Sequence, residues 1–265
     1  MSLPLPTLFV VVPVFNEAGN LERLFSSFRS LIQQYLNRYQ VKIVFIDDGS
    51  TDGTPALAEK LSVGIDFVML VHEINRGPGK AFATAFKYLA SCLEDEVWVV
   101  TLEGDNTSRS ELISQMFQRS SEGFEVILAS PYMYGGEIVN TGSFRIILSN
   151  IANTFVKEFL EIHGIHTVSS FFRLYRASAL RKLQQYYGNQ IVERTGFECM
   201  VEMLMKMTYL HHSISEVPMV LDTKQRIGKS KMKIFKTVRG YFWLWMLKKH
   251  WKQQLVMSVS SQLVS

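Results

Sequence analysis

The sequence predicts an α/β fold, with a mainly parallel central sheet flanked by helices. Two observations carry this. From Leu8 to Ser130, short β-rich runs alternate with amphipathic stretches, as in successive βα units. Those runs also end in unusually polar segments, the pattern of an open sheet that binds ligands beyond its strand ends. Apolar residues make up 47% of the 265 positions and aromatics 12%, enough for a large core and too many for a disordered chain.

The strands fall at Leu8–Val14, Val41–Ile46, Asp66–His72, Val97–Leu102 and Phe124–Ala129. Between the first two, Leu21, Leu24, Phe25, Phe28, Leu31, Ile32 and Tyr35 recur at helical spacing, with Asn20 available as N-cap. Pro55 after Thr54 opens a second helix, and Pro78 opens a third that runs to Leu93. After Pro131 the alternation breaks. A loop containing Gly135, Gly136 and Gly142 leads to a helix near Phe144–His163 and an extended stretch at Ser169–Tyr175. Helices follow near Ala177–Tyr187 and Gly196–Tyr209.

The longest apolar runs, Leu8–Val12 and Tyr241–Leu247, are far short of the roughly 20 residues that a membrane-crossing helix needs. With no signal-peptide pattern before Pro13 either, the expected location is the cytoplasm. Cys92 and Cys199 have neither disulfide-framework nor zinc-site spacing and read as buried thiols. His163, His166, His211 and His212 lack the carboxylate pattern of a metal site and read as core or surface histidines. Met200, Met203, Met205 and Met207 crowd one helix as core filler or as an adaptable lining for a lipid chain.

Charge is distributed unevenly. The first 223 residues carry 18 basic and 24 acidic side chains, a formal −6; the last 42 carry ten basic and no acidic ones, a formal +10. From Met232 to Trp251, Phe235, Val238, Phe242 and Trp245 share a helical face beside Lys233, Lys236, Arg239, Lys248 and Lys249. This reads either as an interfacial helix on anionic lipid or as a helix docked on the main domain. A nucleic-acid partner is not expected, because no RNA-binding motif accompanies these aromatics.

The chemistry gathers at the strand ends: Pro13-Val14-Phe15-Asn16-Glu17, Asp47-Asp48-Gly49-Ser50-Thr51-Asp52-Gly53-Thr54 and Glu103-Gly104-Asp105-Asn106-Thr107. Carboxylates brought to one edge repel, and a divalent cation with hydrogen bonds to a sugar or base offsets that. Asp52, followed by Gly53, reads as a turn and cap, and Asp48 as a ligand-binding residue.

The pair Pro-Val-Phe-Asn-Glu and Ile-Asp-Asp-Gly-Ser-Thr-Asp-Gly-Thr resembles the family 2 glycosyltransferases of GT-A fold. Within them the chain is similar to dolichyl- and polyprenyl-phosphate sugar synthases up to about Lys231. Further matches are Gly79-Lys80-Ala81, Ser130-Pro131-Tyr132, Ser170 to Tyr175, Glu202-Met203-Leu204, Glu216-Val217-Pro218 and Gly228-Lys229-Ser230-Lys231. The resemblance implies a GT-A domain over residues 1–231, with 232–265 as a basic amphipathic helix and tail. It places Pro13, Phe15 and Glu17 around the nucleotide and assigns Ile46 and Asp48 to the base and ribose. It sets Glu103, Gly104 and Asp105 on the family's Asp-x-Asp motif, with Glu103 and Asp105 as catalytic carboxylates holding Mg²⁺ or Mn²⁺. Lys231 falls on a donor-diphosphate contact, and Arg145 and Ser149 on the acceptor-phosphate positions. Five positions depart from the pattern: Phe15 for Tyr, Glu103 for Asp, Pro131 for Arg, Thr167 for Asp and Gln225 for Arg, although Lys224 and Arg226 flank the last. Arg173 either touches the acceptor pocket or pairs with Glu202.

The implied activity is inverting transfer of mannose or glucose from a GDP- or UDP-hexose to a polyprenyl or dolichyl phosphate. The implied setting is the cytoplasmic face of a membrane, with a membrane-embedded partner protein as a further anchor. Transfer to a hydroxyl of a glycolipid or polysaccharide, and a catalytically silent scaffold, are the alternatives. A processive synthase is disfavoured by the lack of a Gln-x-x-Arg-Trp motif.

Overall fold

The computed structural model describes residues 4–142, 153–154, 156–228 and 234–262, apart from the side chains of 234–236, 238 and 257–262. Its strands are β1 (Thr7–Val14), β2 (Gln40–Asp47), β3 (Phe67–Val71), β4 (Trp98–Thr101), β5 (Val126–Ser130), β6 (Glu137–Val139), β7 (Arg173–Arg176), β8 (Ile214–Pro218) and β9 (Val220–Asp222). Seven form one sheet in the order β3-β2-β1-β4-β7-β5-β8, and β6 pairs with β9 beside it. Pairing in the main sheet is parallel except where β7 lies antiparallel between β4 and β5.

Alternation along β1 builds two cores. Leu8, Val10 and Val12 enter one with Phe45 and Val100; Phe9 and Val11 enter the other with Val44 and Val99. Helix α1 (Leu21–Tyr35) covers the first face, burying Leu21, Leu24, Phe25, Phe28, Leu31 and Tyr35 as its spacing predicts. Helices α2 (Thr54–Leu61) and α4 (Ile113–Ser121) add Ala58, Ile113 and Met116 to the same side. On the other face lie α3 (Pro78–Leu89), α5 (Ala177–Tyr187) and α6 (Cys199–Tyr209), the last burying all four methionines as core. Asn20 stands at the N-cap of α1, but its side chain makes no cap hydrogen bond. Its amide serves the site below instead.

Of the expected helix near Phe144–His163, residues 144–152 and 155 lie outside the described residues; 153–154 and 156–160 are helical. Strand β8 was not anticipated, because Ser215 and Glu216 break its apolar pattern. Glu216 is nevertheless buried, accepting hydrogen bonds from the backbone N–H of His166 (2.6 Å) and Thr167 (2.7 Å). Arg173 is fully buried and does not pair with Glu202: its guanidinium donates to the carbonyls of Ser170 and Val168 (both 2.8 Å), whereas Glu202 pairs with Lys206 at 2.6 Å. Cys199 is buried and Cys92 only half-buried.

The C-terminal helix α7 (Ile234–Gln262) presents opposite surfaces to opposite environments. Leu244 and Trp251 are fully buried in the core beneath α5 and α6. Phe242, Trp243, Trp245 and Met246 are exposed. Trp245 packs on Phe159 at 5.6 Å, and Lys248 and Lys252 reach Glu161 at 2.8 and 3.2 Å. Among the described residues no helix is long and apolar enough to cross a membrane.

Candidate active site

The carboxyl ends of β1, β2 and β4 open into a cavity of about 730 Å³, lined among others by Pro13, Phe15, Glu17, Asp48, Glu103, Gly104 and Asp105. The sheet brings these predicted residues together because the three strands are parallel neighbours. Ile46 is fully buried in the core against the α3 side of the sheet and is not among the residues that line the cavity. It precedes the strand end, where its side chain points into the packed face. Arg145, Ser149 and Lys231 lie outside the described residues.

The first two strand-end loops are tied to each other. Asn16, in a left-handed conformation (φ 53°), receives a hydrogen bond from Thr51 N–H (2.8 Å) and donates its own N–H to Ser50 Oγ (2.8 Å). Glu17 N–H donates to Thr54 Oγ1 at 2.9 Å, and Asp52 accepts from Thr54 and from Ala18 N–H, the cap-like role expected of it. Burial works upward on the Asp52 carboxyl, but these hydrogen bonds outweigh it and hold the group below its ordinary value.

Asp48 is almost fully committed to the protein. Oδ1 takes His72 Nδ1 at 2.6 Å and Arg76 N–H at 3.0 Å, and Oδ2 takes Gly77 N–H at 2.7 Å. His72 is fixed in turn by Thr84 Oγ1 at 2.9 Å. The Asp48 carboxylate thus shapes the loop that carries Asn75 and Gly77 into the cavity wall. His72 was not singled out in the sequence, although its place at the end of the third run was signal enough.

At the end of β4, Gly104 allows a close approach: a Cβ there would lie 2.7 Å from Val14 Cγ1. Glu103 Oε2 receives the Ser108 hydroxyl, and Oε1 receives Phe171 N–H at 3.3 Å. Burial first, then the Asp105 charge, pushes the Glu103 carboxyl up to about 7, against the pull of its hydrogen bonds and of Arg226. Asp105 accepts from Thr107 through Oδ1 and from Arg226 Nε through Oδ2. Arg226 is placed by its own loop. Ile227 N–H donates to Asn20 Oδ1 (3.0 Å), while Asn20 Nδ2 donates to Glu17 Oε2 (2.5 Å) and to the Ile227 carbonyl (3.2 Å). Asn20 therefore couples Glu17 to the loop that brings a cation to Asp105.

A smaller cavity of about 400 Å³ shares Pro131, Tyr132 and Ile138 with the first and is lined further by Lys157 and His166. His166 Nδ1 meets Glu216 at 2.8 Å and His212 Nδ1 meets Glu125 at 2.9 Å, so both histidines are committed to carboxylates. Among the described residues no group of three or more His, Cys, Asp or Glu side chains is gathered as for a metal. Glu103 and Asp105 are two hard oxygen donors under mutual repulsion, which fits an ion that completes its shell with water and substrate phosphate.

This sheet, with its acidic strand ends facing one cleft, defines a glycosyltransferase of GT-A fold. Residues 9–184 match the model of glycosyl transferase family 2, and the chain belongs to that family. It is 28% identical over 231 residues to the polyprenol monophosphomannose synthase of Mycolicibacterium smegmatis, covering 86% of this chain and 82% of that protein. It is 29% identical over 238 residues to the dolichol-phosphate mannosyltransferase of Pyrococcus furiosus, covering 88% of this chain but 62% of that longer protein. Among solved structures, the Mycobacterium tuberculosis glucosyl-3-phosphoglycerate synthase with Mg²⁺ and UDP superposes at a TM-score of 0.61 with 14% identity. That match covers 92% of this chain and 79% of the other, a likeness of fold alone.

Proposed function

We propose that this glycosyltransferase moves a hexose from a nucleotide-sugar to a polyprenyl or dolichyl phosphate at the cytoplasmic face of a membrane. The observation that carries the reading is the match to polyprenol monophosphomannose synthase over more than four fifths of both chains. The donor would lie in the larger cavity, its nucleotide between Pro13, Phe15, Glu17 and the loop held by Asp48. The smaller cavity, with Lys157 in its lining, suits the acceptor phosphate, and the family resemblance adds Arg145 and Ser149 as acceptor contacts. Lys157 and His166 supply polar groups beside Pro131, where the resembled family carries an arginine.

A phosphate oxygen of the acceptor attacks the anomeric carbon as the bond from that carbon to the donor diphosphate breaks. The centre inverts and a nucleoside diphosphate departs. The acceptor is already ionised near neutral pH, so catalysis reduces to positioning and charge stabilisation. Glu103 and Asp105 would hold Mg²⁺ or Mn²⁺, which neutralises charge on the departing diphosphate. Arg226 at Asp105 and Lys231 are this chain's own cations for the same charge.

The test is incubation with polyprenyl phosphate in membranes and a panel of labelled nucleotide-sugars. The expected result is label in the organic phase as an acid-labile product. Label entering only an acid-stable glycolipid or a polymer would replace the phosphate acceptor with a hydroxyl.

A further inference from the structure

Three segments that line the main cavity converge on one asparagine outside it. Asn20, just before α1, is 2% exposed. Its carboxamide donates to Glu17 Oε2 (2.5 Å) and takes both polar backbone atoms of Ile227, accepting from the N–H (3.0 Å) and donating to the carbonyl (3.2 Å). Its own carbonyl accepts from Asn106 Nδ2 at 2.9 Å, which ties in the loop after β4 beside Asp105.

Apolar packing does little to hold the arm that follows β9. Ile227 is 59% exposed, so burial cannot fix its place. Polar contacts do so instead. At the root of the arm, Asp222 accepts from Lys224 N–H and Gln225 Nε2 (both 3.0 Å), and Arg23 of α1 donates to the Gln225 carbonyl. At its tip the Asn20 carboxamide pairs with Ile227 as one residue of a neighbouring strand would. Two bonds to one residue set its direction as well as its position, and Arg226, immediately before it, is thereby presented to Asp105.

We propose that Asn20 is a positioning residue for the donor: it acts through Arg226, holding that guanidinium ready for the donor diphosphate. This rests on the nucleotide-sugar reading above. The side-chain chemistry is specific. An aspartate of the same shape could still accept from Ile227 N–H, but it could not donate to the Ile227 carbonyl and would set a second carboxylate against Glu17. Alanine would keep none of the side-chain contacts.

The test measures binding of GDP and UDP by titration calorimetry with Mg²⁺ present, for wild type, Asn20→Asp, Asn20→Ala, Arg226→Ala and the double variant Asn20→Ala/Arg226→Ala. Thermal unfolding verifies that each is folded, and Asn20→Asp nearly preserves shape. Wild type should bind one of the two nucleotides, and each single variant should bind it about fivefold or more weakly. The double variant should lose little more than Arg226→Ala alone, because Asn20 acts through that residue. In the nucleotide-free protein, amide hydrogen exchange at Ile227 should be about tenfold or more faster in Asn20→Ala, which removes the acceptor of that N–H. Losses that multiply in the double variant would overturn the proposal, as would unchanged exchange at Ile227 or wild-type affinity in both Asn20 variants. Wild type that binds neither nucleotide would overturn the donor reading and this proposal with it.

Discussion

Trp251 of the C-terminal helix closes over the Lys206 ammonium, which lies 4.7 Å from the indole ring centroid, and both residues are fully buried. On its other side Lys206 faces the Tyr187 ring at 5.1 Å, and its charge is met by Glu202 at 2.6 Å and Glu193 at 3.2 Å. The indole N–H donates to Glu193 as well. Through these contacts α7 shields a buried ion pair that would be costly to leave half-paired.

Trp251→Ala should therefore cost about 3–5 kcal/mol, the range for removing a buried Trp, and lower the melting temperature by several degrees. Truncation after Lys231 should do worse, because it removes Leu244 and Trp251 together and opens Lys206 to water. Chemical denaturation would check both. A truncated chain with the wild-type midpoint would mean that α7 only rests on the domain.

Asp105→Ala should lower kcat by about 100-fold or more while the protein stays folded, since Asp105 faces the cavity and not the core. Arg226→Ala removes the only cation paired with Asp105 among the described residues. It should raise the KM for the nucleotide-sugar, whereas Arg226→Lys should recover part of the loss. Steady-state kinetics with the donor varied would separate these effects, and an unchanged donor KM in Arg226→Ala would confine Arg226 to a structural role.

How much of this was legible in the sequence depends on whether local pattern or long-range pairing decided the outcome. The alternation of Leu8, Val10 and Val12 with Phe9 and Val11 announces a strand buried on both faces, and Pro13–Glu17 announces its polar end. The extended stretch at Ser169–Tyr175 announces β7, but its reversed direction, like the burial of Glu216, depends on partners far along the chain and no local period marks it. The Ile46 side chain lies in the packed face because its motif begins one step inside the strand, where pairing with Pro13 and Leu70 fixes it in the sheet. Arg226 meets Asp105 from 121 positions away, so no local pattern joins them.

Asp52 gives a pH dependence whose sign follows from its depressed folded pKa. The unfolded chain takes up the proton first as pH falls, so the stability Asp52 contributes is full above the ordinary value of 3.8. It is lost as the pH drops through the folded value. Asp52→Asn should cost about 1 kcal/mol at neutral pH, typical of a lost cap, and less below pH ~3. Unfolding midpoints at the two pH values would check it; a penalty that grows on acidification would contradict the assignment.

The outward face of α7 makes the last prediction. Phe242, Trp243, Trp245 and Met246 are exposed together, and the exposed Arg239 and Lys249 add charge in a segment with no acidic residue after Asp222. Aromatic rings settle at the headgroup level, and each nearby cation contributes about 1 kcal/mol on an anionic surface, screened by salt. Full-length protein should therefore sediment with vesicles containing phosphatidylserine at low ionic strength and release in part as salt rises, with the aromatic contribution persisting. Replacing Trp243 and Trp245 by Ser should remove the salt-resistant part, and replacing Arg239 and Lys249 by Gln the salt-sensitive part. Because Leu244 and Trp251 lie on the opposite face, neither pair of substitutions should lower the melting temperature appreciably. Loss of vesicle binding with an unchanged melting temperature would separate membrane contact from helix docking; vesicle binding indifferent to all four substitutions would move the contact surface away from α7.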